Sequence, residues 1–458
     1  MKRKIGIVAA FAVAGVLALT ACSSGGGTAA AGGSAGPSTN GKGKTITLWL
    51  VGADTPNPLR DYLVSEFHKE TKGTLKIEQQ DWSTIVTKLT TSLPDANNTP
   101  DVTEMGNTQS PTFTNVGAFL DISDMYKELG GSNLLQSFVD AGKVNGKNYT
   151  LPYYFGSRYV FYRKDIWAKA GITTPPTTLD QFNTDVATVN AKNPDNIKNF
   201  SGFYLGGQDW RDGISWIFAN GGNIATVKNG KWTASLDSPA TLKGLQQLQT
   251  IYKTADNAPG DAQDSNQYIY VNDNDSIAGA TTKDKATPVS LAAATIMAPG
   301  WAHWSIGDKG KDPKTGAVTR TWNDKTFGTF ALPGNDGKPA PVFAGGSNIG
   351  ISAKSKNPGL AKTLLKIIFG KTYQEMLGKN GLGPANSKYT SSLGSDQFAS
   401  ALIASSSNSK LTPAAPGWAS VEAAGVMEEF FSKIKDAPDL SALAKEYDAK
   451  ITPMLNTK

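Results

Sequence analysis

NGKNYTLPYYFGSRYVFYRKDIWAKAGI, residues Asn145 to Ile172, is the stretch on which the reading of the fold turns. Asn145-Gly146 is a turn dipeptide, and two short runs of alternating apolar and aromatic residues follow it on either side of Gly156-Ser157. An amphipathic helical pattern closes the stretch. Two strands that meet at a flexible Gly without a tight hairpin turn predict a chain passing from one lobe to another. The segment 153–158 is therefore read as a first hinge.

Upstream, Thr45 to Val51 (TITLWLV) is an apolar run of strand length. Leu59, Tyr62, Leu63 and Phe67 recur at spacings of three and four, which predicts a helix from Pro58 to Lys72. Leu75 to Gln80 reads as a second strand, Ser83 to Leu93 as a second helix stopped by Pro94, and Asp101 to Met105 as a third strand. This alternation predicts a mostly parallel sheet covered by helices, in which ligands sit beyond the carboxyl ends of the strands. Attention falls on Gly52 to Asp54, on Asp81-Trp82 and on Gly106 to Gln109.

Downstream the pattern repeats less clearly. Phe203 to Gly207 reads as a strand followed by Gln208-Asp209-Trp210-Arg211, and Ile214 to Asn220 and Leu242 to Lys253 read as helices. Asp256 to Asp275 is acidic and Asn-rich, a surface-loop composition. Ser290 to Met297 is an apolar run ending in Pro299-Gly300-Trp301, and Phe327 to Leu332 is a strand. Val342 to Asn348 carries Gly345-Gly346 beside Ser347 and Asn348 and reads as a second crossover. A long helix is expected from Pro358 to about Gly378 or Gly381, and a last helical stretch from Val421 to Lys435.

The N-terminus is a separate signal. Lys2, Arg3 and Lys4 precede an apolar stretch from Ile5 to Leu19. That is shorter than the ~20 residues a membrane-spanning helix needs, so residues 1–21 read as an export signal. Leu19-Thr20-Ala21-Cys22 resembles a lipobox, at which the cysteine is lipidated; a plain secretory signal with an incidental Cys is the alternative. Cys22 is the only cysteine among 458 residues, which leaves disulfides and thiolate metal clusters without ligands. Residues 22–44 are rich in Gly, Ala, Ser and Thr and read as a flexible tether. Removing the three basic residues of the signal leaves 42 Lys and Arg against 39 Asp and Glu, a net of +3. Such balance gives no case for nucleic-acid binding.

Catalytic signatures are sparse. His68 and His303 are the two histidines, and neither stands at metal-ligand or general-base spacing from a partner. No phosphate loop, dinucleotide fingerprint or nucleophile elbow occurs, so neither cofactor nor metal is expected. Asp273-Asn274-Asp275 lacks the Gly and distal Glu of a calcium loop and reads as a solvated turn. A glycosidase using two carboxylates needs no histidine, with Asp81, Asp209 and Asp212 as candidates, and stays open as the enzymatic alternative. More prominent are aromatics at predicted strand ends: Trp82, Trp210, Trp301 and Trp418, each beside polar or Gly-rich residues. Each also fits ordinary core or loop packing. Flat rings with Asp, Asn, Gln and Arg at their edges suit a sugar, whose apolar faces are rimmed by hydroxyls.

The opening stretch, with Pro175 to Phe182 after it, resembles the crossover of family 1 extracellular solute-binding proteins of ABC sugar importers. GTFALPG, GGSNIGISAKSKNPGLAK and GPAN resemble later family segments in the same order. EMGNTQ, GQDW, GGSN and APGW resemble the lipoproteins that bind N,N′-diacetylchitobiose or related chito-oligosaccharides. The resemblance implies an α/β, two-lobe periplasmic-binding-protein-like fold of type II with its ligand cleft between the lobes. Lobe 1 would comprise 45–152 and 349–405, lobe 2 159–343 and 411–458, with 153–158 and 344–348 as hinges. Trp82, Asn107, Gln109, Tyr153, Arg158, Asp209, Trp210, Trp301, Gly346, Ser347, Asn348 and Trp418 would line the cleft. The partners implied are an oligosaccharide, the membrane subunits of an ABC permease and a membrane reached through lipidated Cys22, for a monomer without enzymatic activity. A sugar-sensing surface protein is the remaining alternative.

Overall fold

A computed structural model describes residues 39–263, 270–272, 275–276, 288–289 and 292–457. The export signal, Cys22, most of the tether and the turn at Asp273-Asn274 lie outside the described residues, as do parts of the Asp256 to Asp275 loop and the first residues of the Ser290 to Met297 run.

The first strands and helices form where periodicity places them. β1 (Thr45–Val51), α1 (Asn57–Thr71), β2 (Thr74–Gln80), α2 (Ile85–Ser92), β3 (Val102–Gly106) and the short α3 (Ser110–Asn115) follow in order. α1 buries Leu59, Leu63 and Phe67, one residue per turn, and ends at Lys72, whose φ of 60° turns the chain into β2. β1 pairs in parallel with β2 and β3.

The crossover stretch forms β4 (Thr150–Phe155) and β5 (Arg158–Arg163), and these belong to different sheets. β5 leads into α4 (Lys164–Lys169), and α5 (Leu179–Lys192), α6 (Trp210–Ala219) and α7 (Pro239–Thr254) follow. Next come β6 (Thr295–Pro299), β7 (Phe327–Phe330) and β8 (Gly346–Ile351). After them α8 (Pro358–Phe369), α9 (Lys371–Lys379), β9 (Gly383–Pro384), α10 (Gln397–Ser406), α11 (Trp418–Ala423), α12 (Val426–Ile434) and α13 (Leu440–Leu455) complete the chain.

Besides four two-stranded pairs among the described residues, one sheet has six strands in the order β9-β4-β8-β3-β1-β2, and another has three in the order β6-β5-β7. β8 runs antiparallel to both β3 and β4, so the larger sheet is parallel on one side and antiparallel on the other. Each sheet has its own apolar core. Ile46, Leu48, Phe67, Leu364 and Tyr373 pack in the first, and Val160, Trp167, Phe182, Trp216, Phe430 and Tyr447 in the second.

Several expected elements differ. Phe203 to Gly207 forms no strand and makes only an isolated bridge from Tyr204 to Ile296. The long helix from Pro358 is interrupted at Gly370, whose extended ψ of 150° ends α8 and starts α9. The stretch from Val421 divides at Gly425, whose φ of 61° separates α11 from α12. Helices α3, α5, α10 and α13 went unpredicted, although Thr178, Asp396 and Asp439 cap the last three by accepting backbone N–H bonds.

Candidate functional site

The two crossovers lie side by side. Gly156 N donates to Gly345 O at 2.8 Å, tying the link between β4 and β5 to the link that leads into β8. Gly346 has a φ of 142°, and a Cβ there would stand 2.4 Å from Tyr154 O, so this position takes only glycine. Asn107, at the end of β3, clamps the second link from the other side. Its backbone N donates to Gly346 O at 3.2 Å and its Nδ2 to Ala344 O at 2.5 Å.

On the larger sheet, the loops after β1, β2 and β3 converge on one aromatic ring. Trp82 lies over Gly52 and Gly106, where added Cβ atoms would stand 2.7 and 3.5 Å from the indole. It is 37% exposed, and its Nε1 donates to Asp54 Oδ2 at 2.9 Å. The Tyr154 hydroxyl donates to the same oxygen at 3.0 Å. Beneath them Glu104 is fully buried on β3, with Oε2 accepting from Val51 N at 2.8 Å. Burial pushes its carboxyl up to about 8, although the Val51 amide and the Ser347 hydroxyl pull the other way. The half-buried Gln109 accepts from Gly106 N through Oε1 at 3.2 Å. An exposed ring edged by a carboxylate suits a ligand with an apolar face and hydroxyls at its rim.

A second wall comes from α6, α11 and α12. Asp209 caps α6 by accepting from Asp212 N at 3.1 Å. Asp212 in turn pairs with Arg158 at 3.1 Å, both side chains being buried. Arg211 stacks 4.4 Å over the Trp210 ring and lies 3.9 Å from Glu422 and 4.0 Å from Glu428. Trp210 donates through Nε1 to Glu428 at 2.9 Å, and its ring meets Trp418 edge-on at 6.0 Å. Burial raises the Glu422 pKa, with the Arg211 cation opposing the rise.

A cavity of 410 Å³ opens between Pro56, just after the β1 loop, and residues 300–304, which follow β6. Tyr159, His303, Trp304, Gly381 and Asp396 are among its lining residues. Trp304 is 57% exposed and Trp301 47%. Gly381, with a φ of 76°, lets the Trp304 ring approach, since a Cβ would stand 3.0 Å from it. His303 stacks on Phe398 at 4.4 Å and bonds Gly300 O through Nδ1, and burial lowers its pKa, favouring the neutral ring.

The twelve positions expected to line a cleft therefore divide. Trp82, Gln109 and Trp301 keep accessible surface, whereas most of the others are enclosed. Asn107 is spent on the crossover. Asn348 is buried and donates to Phe138 O at 2.9 Å and to Thr150 Oγ1 at 3.1 Å. Ser347 is fully buried beside the Glu104 carboxyl, and Trp210 and Trp418 belong to the second core.

Tyr153 is fully buried and bonds the hydroxyls of Thr55 and Tyr373. The cause is a β-bulge. Ser347 pairs with Tyr154 and Asn348 with Pro152, which leaves Tyr153 as the extra residue. Strict alternation would send consecutive tyrosines to opposite faces, yet here both reach the loop after β1. Arg158 is likewise held in its buried pair with Asp212. Sequence reading missed Tyr154, Trp304, Glu422 and Glu428. Trp304 alone carried a signal, since it stands three residues after Trp301, the spacing that aligns side chains in the tight helical turn Gly300–Ser305.

The sequence matches the family described as bacterial extracellular solute-binding protein over residues 62–403. A diacetylchitobiose-binding protein of Streptomyces coelicolor, DasA, is 32% identical over 428 residues, covering 92% of this chain and 91% of the relative. Among solved structures, the sugar-binding protein MalE of Xanthomonas citri superposes with a TM-score of 0.72 at 18% identity, covering 90% of this chain and 97% of that one. The GacH receptor of Streptomyces glaucescens, solved unliganded and with acarbose, gives 0.67 at 16% identity, covering 90% and 98%. The fold is that of the maltose-binding-protein-like periplasmic binding proteins.

Proposed function

Because this chain belongs to the bacterial extracellular solute-binding protein family, we propose that it is the substrate-binding component of an ABC importer, with an N-acetylated chito-oligosaccharide such as N,N′-diacetylchitobiose as its ligand. The full-length likeness to a diacetylchitobiose-binding relative supports the sugar class. The observation that carries the reading is Trp82, an exposed ring lying over three converging strand ends with Asp54 at its edge.

In this reading the six-stranded half, 45–152 with 349–405, is lobe 1, and the rest, 159–343 with 411–458, is lobe 2. The paired links at Gly156 and Gly345 are the hinge. Sugar stacks on Trp82 from one side and meets Trp301 and Trp304 from the other, and its binding favours the closed population. The protein hands the ligand to the membrane subunits and performs no chemistry on it. Asp212 fits this role, since its carboxylate is buried and already engaged by the Arg158 guanidinium. Among the described residues no helix is long and apolar enough to cross a membrane. Attachment would run through lipidated Cys22, for which Leu19 to Cys22 is the support.

Calorimetric titration of N,N′-diacetylchitobiose, maltose, cellobiose and xylobiose into the protein lacking residues 1–22 tests the proposal. We expect micromolar or tighter binding of the chitobiose, worth about 8 kcal/mol or more, and weaker binding of the others. Binding of none of the four would sink the sugar receptor, and tighter maltose binding would replace the ligand. Shortened glycans after prolonged incubation would favour the glycosidase.

A further inference from the structure

Helix α11 carries a carboxylate that gathers groups from separate parts of the fold. Glu422 Oε2 accepts from the Thr108 hydroxyl at 3.1 Å, across 314 positions of sequence. Thr108 sits between β3 and α3, on the six-stranded half, whereas α11 packs in the core of the other half through Trp418 and Val421. The other Glu422 oxygen faces Arg211 at 3.9 Å, and Arg211 is itself stacked on Trp210 and shared with Glu428. A second bond runs parallel to the first: the Thr112 hydroxyl, on α3, donates to Pro416 O at 3.0 Å.

We infer that Glu422 is a positioning residue whose bond to Thr108 latches the two halves together and so raises the affinity for ligand. The inference rests on the two-lobe receptor reading for its consequence, but not for the contact itself. Glu422 is enclosed, so opening the halves would expose Thr108 and Glu422 to water separately. Arg211 faces the other carboxyl oxygen at 3.9 Å, which keeps Oε2 aimed at Thr108. The latch adds no contact to the sugar. It acts by enlarging the fraction of molecules already arranged to bind, and apparent affinity scales with that fraction.

The other candidate role for Glu422, a cap that merely stabilises α11, predicts a change in unfolding with no change in shape or affinity. The test is a double-mutant cycle on the protein lacking residues 1–22, using Thr108→Val, which keeps the shape and removes the hydroxyl, and Glu422→Ala. Two quantities are read: the dissociation constant for N,N′-diacetylchitobiose and the ligand-free radius of gyration from solution scattering.

We expect each single variant to bind about three- to tenfold more weakly and to scatter with a larger ligand-free radius. The double variant should be no weaker than the worse single one, and Thr108→Ser should restore wild-type values. Unchanged affinity and radius in Thr108→Val would overturn the latch. So would losses that multiply in the double variant, since the two residues would then act separately. If no variant and no wild-type protein binds the chitobiose, the receptor reading fails on its own. The scattering comparison still decides the latch, because it involves no ligand.

Discussion

The group around Trp82 and the group around Arg211, the two walls of the proposed site, hold their polar groups in opposite ways. On the six-stranded side, Trp82 and Asp54 are exposed, and the Asp54 carboxylate accepts from two neutral donors, Trp82 and Tyr154. On the other side, Arg158, Asp209 and Asp212 are enclosed, and Arg211, Glu422 and Glu428 are largely so. The first wall offers a ring and an acceptor to a ligand with little rearrangement. The second spends most of its charge on itself, and its contribution is rigidity. Water competes for exposed hydrogen bonds but leaves buried pairs strong and unforgiving, so damage to the two walls should differ in kind.

The largest effect is expected where a buried charge loses its partner. Arg158→Ala leaves Asp212 enclosed without its guanidinium, which costs about 3–5 kcal/mol in comparable settings. Urea unfolding should show that loss, and sugar affinity measured on the folded fraction should fall little by comparison. Replacing both partners by apolar residues, Arg158→Met with Asp212→Leu, should recover most of the stability. A stable Arg158→Ala protein with abolished binding would invert the comparison and place Arg158 on the ligand.

This expectation reverses what the family resemblance implies for Arg158, and the reason is general. Periodicity located β1, α1, β2 and β3 within a residue or two, because α1 buries a single face and β1 and β3 are short runs buried on both faces. It therefore exposed the strand ends on which Trp82 and Asp54 stand. The second wall is assembled from residues far apart in sequence, with Arg158 meeting Asp212 and Thr108 meeting Glu422, and no local pattern records such meetings. The bulge at Tyr153 was hidden for a related reason. It depends on the register of β8 against β4, which is a property of two strands and not of either one.

A second test, smaller in effect, probes the floor beneath the exposed wall. The Glu104 carboxyl is held at about 8 in the folded protein by burial, against an ordinary value of 4.5. Between those values the folded state binds more protons than the unfolded one, so stability falls as pH rises. The contribution is fully present below about pH 4.5 and lost through pH 8, on the order of 2–4 kcal/mol over that window. Glu104→Gln cannot ionise and keeps an acceptor for Val51 N. Thermal unfolding of both proteins at pH 5, 7 and 9 should show the variant gaining on the wild type as pH rises. The opposite trend would mean that Glu104 is ionised and paired, and that the first wall also carries a buried charge.

The smallest effect, and the one that most sharpens the contrast, concerns Trp82. Its ring is partly exposed and rests on glycines, so Trp82→Ala should leave the fold nearly as stable as before. If the sugar stacks there, losing the ring should weaken binding by about 1–2 kcal/mol, roughly tenfold, read by calorimetry with N,N′-diacetylchitobiose. Trp82→Phe keeps a ring but loses the bond to Asp54, and should fall between the wild type and the alanine variant. Trp304→Ala serves as the matching probe in the cavity at residues 300–304. An unchanged affinity in Trp82→Ala beside a large loss in Trp304→Ala would move the binding surface to the 300–304 turn. The converged strand ends would then be a structural support, and the division of labour between the two walls would be the reverse of the one argued from their exposure.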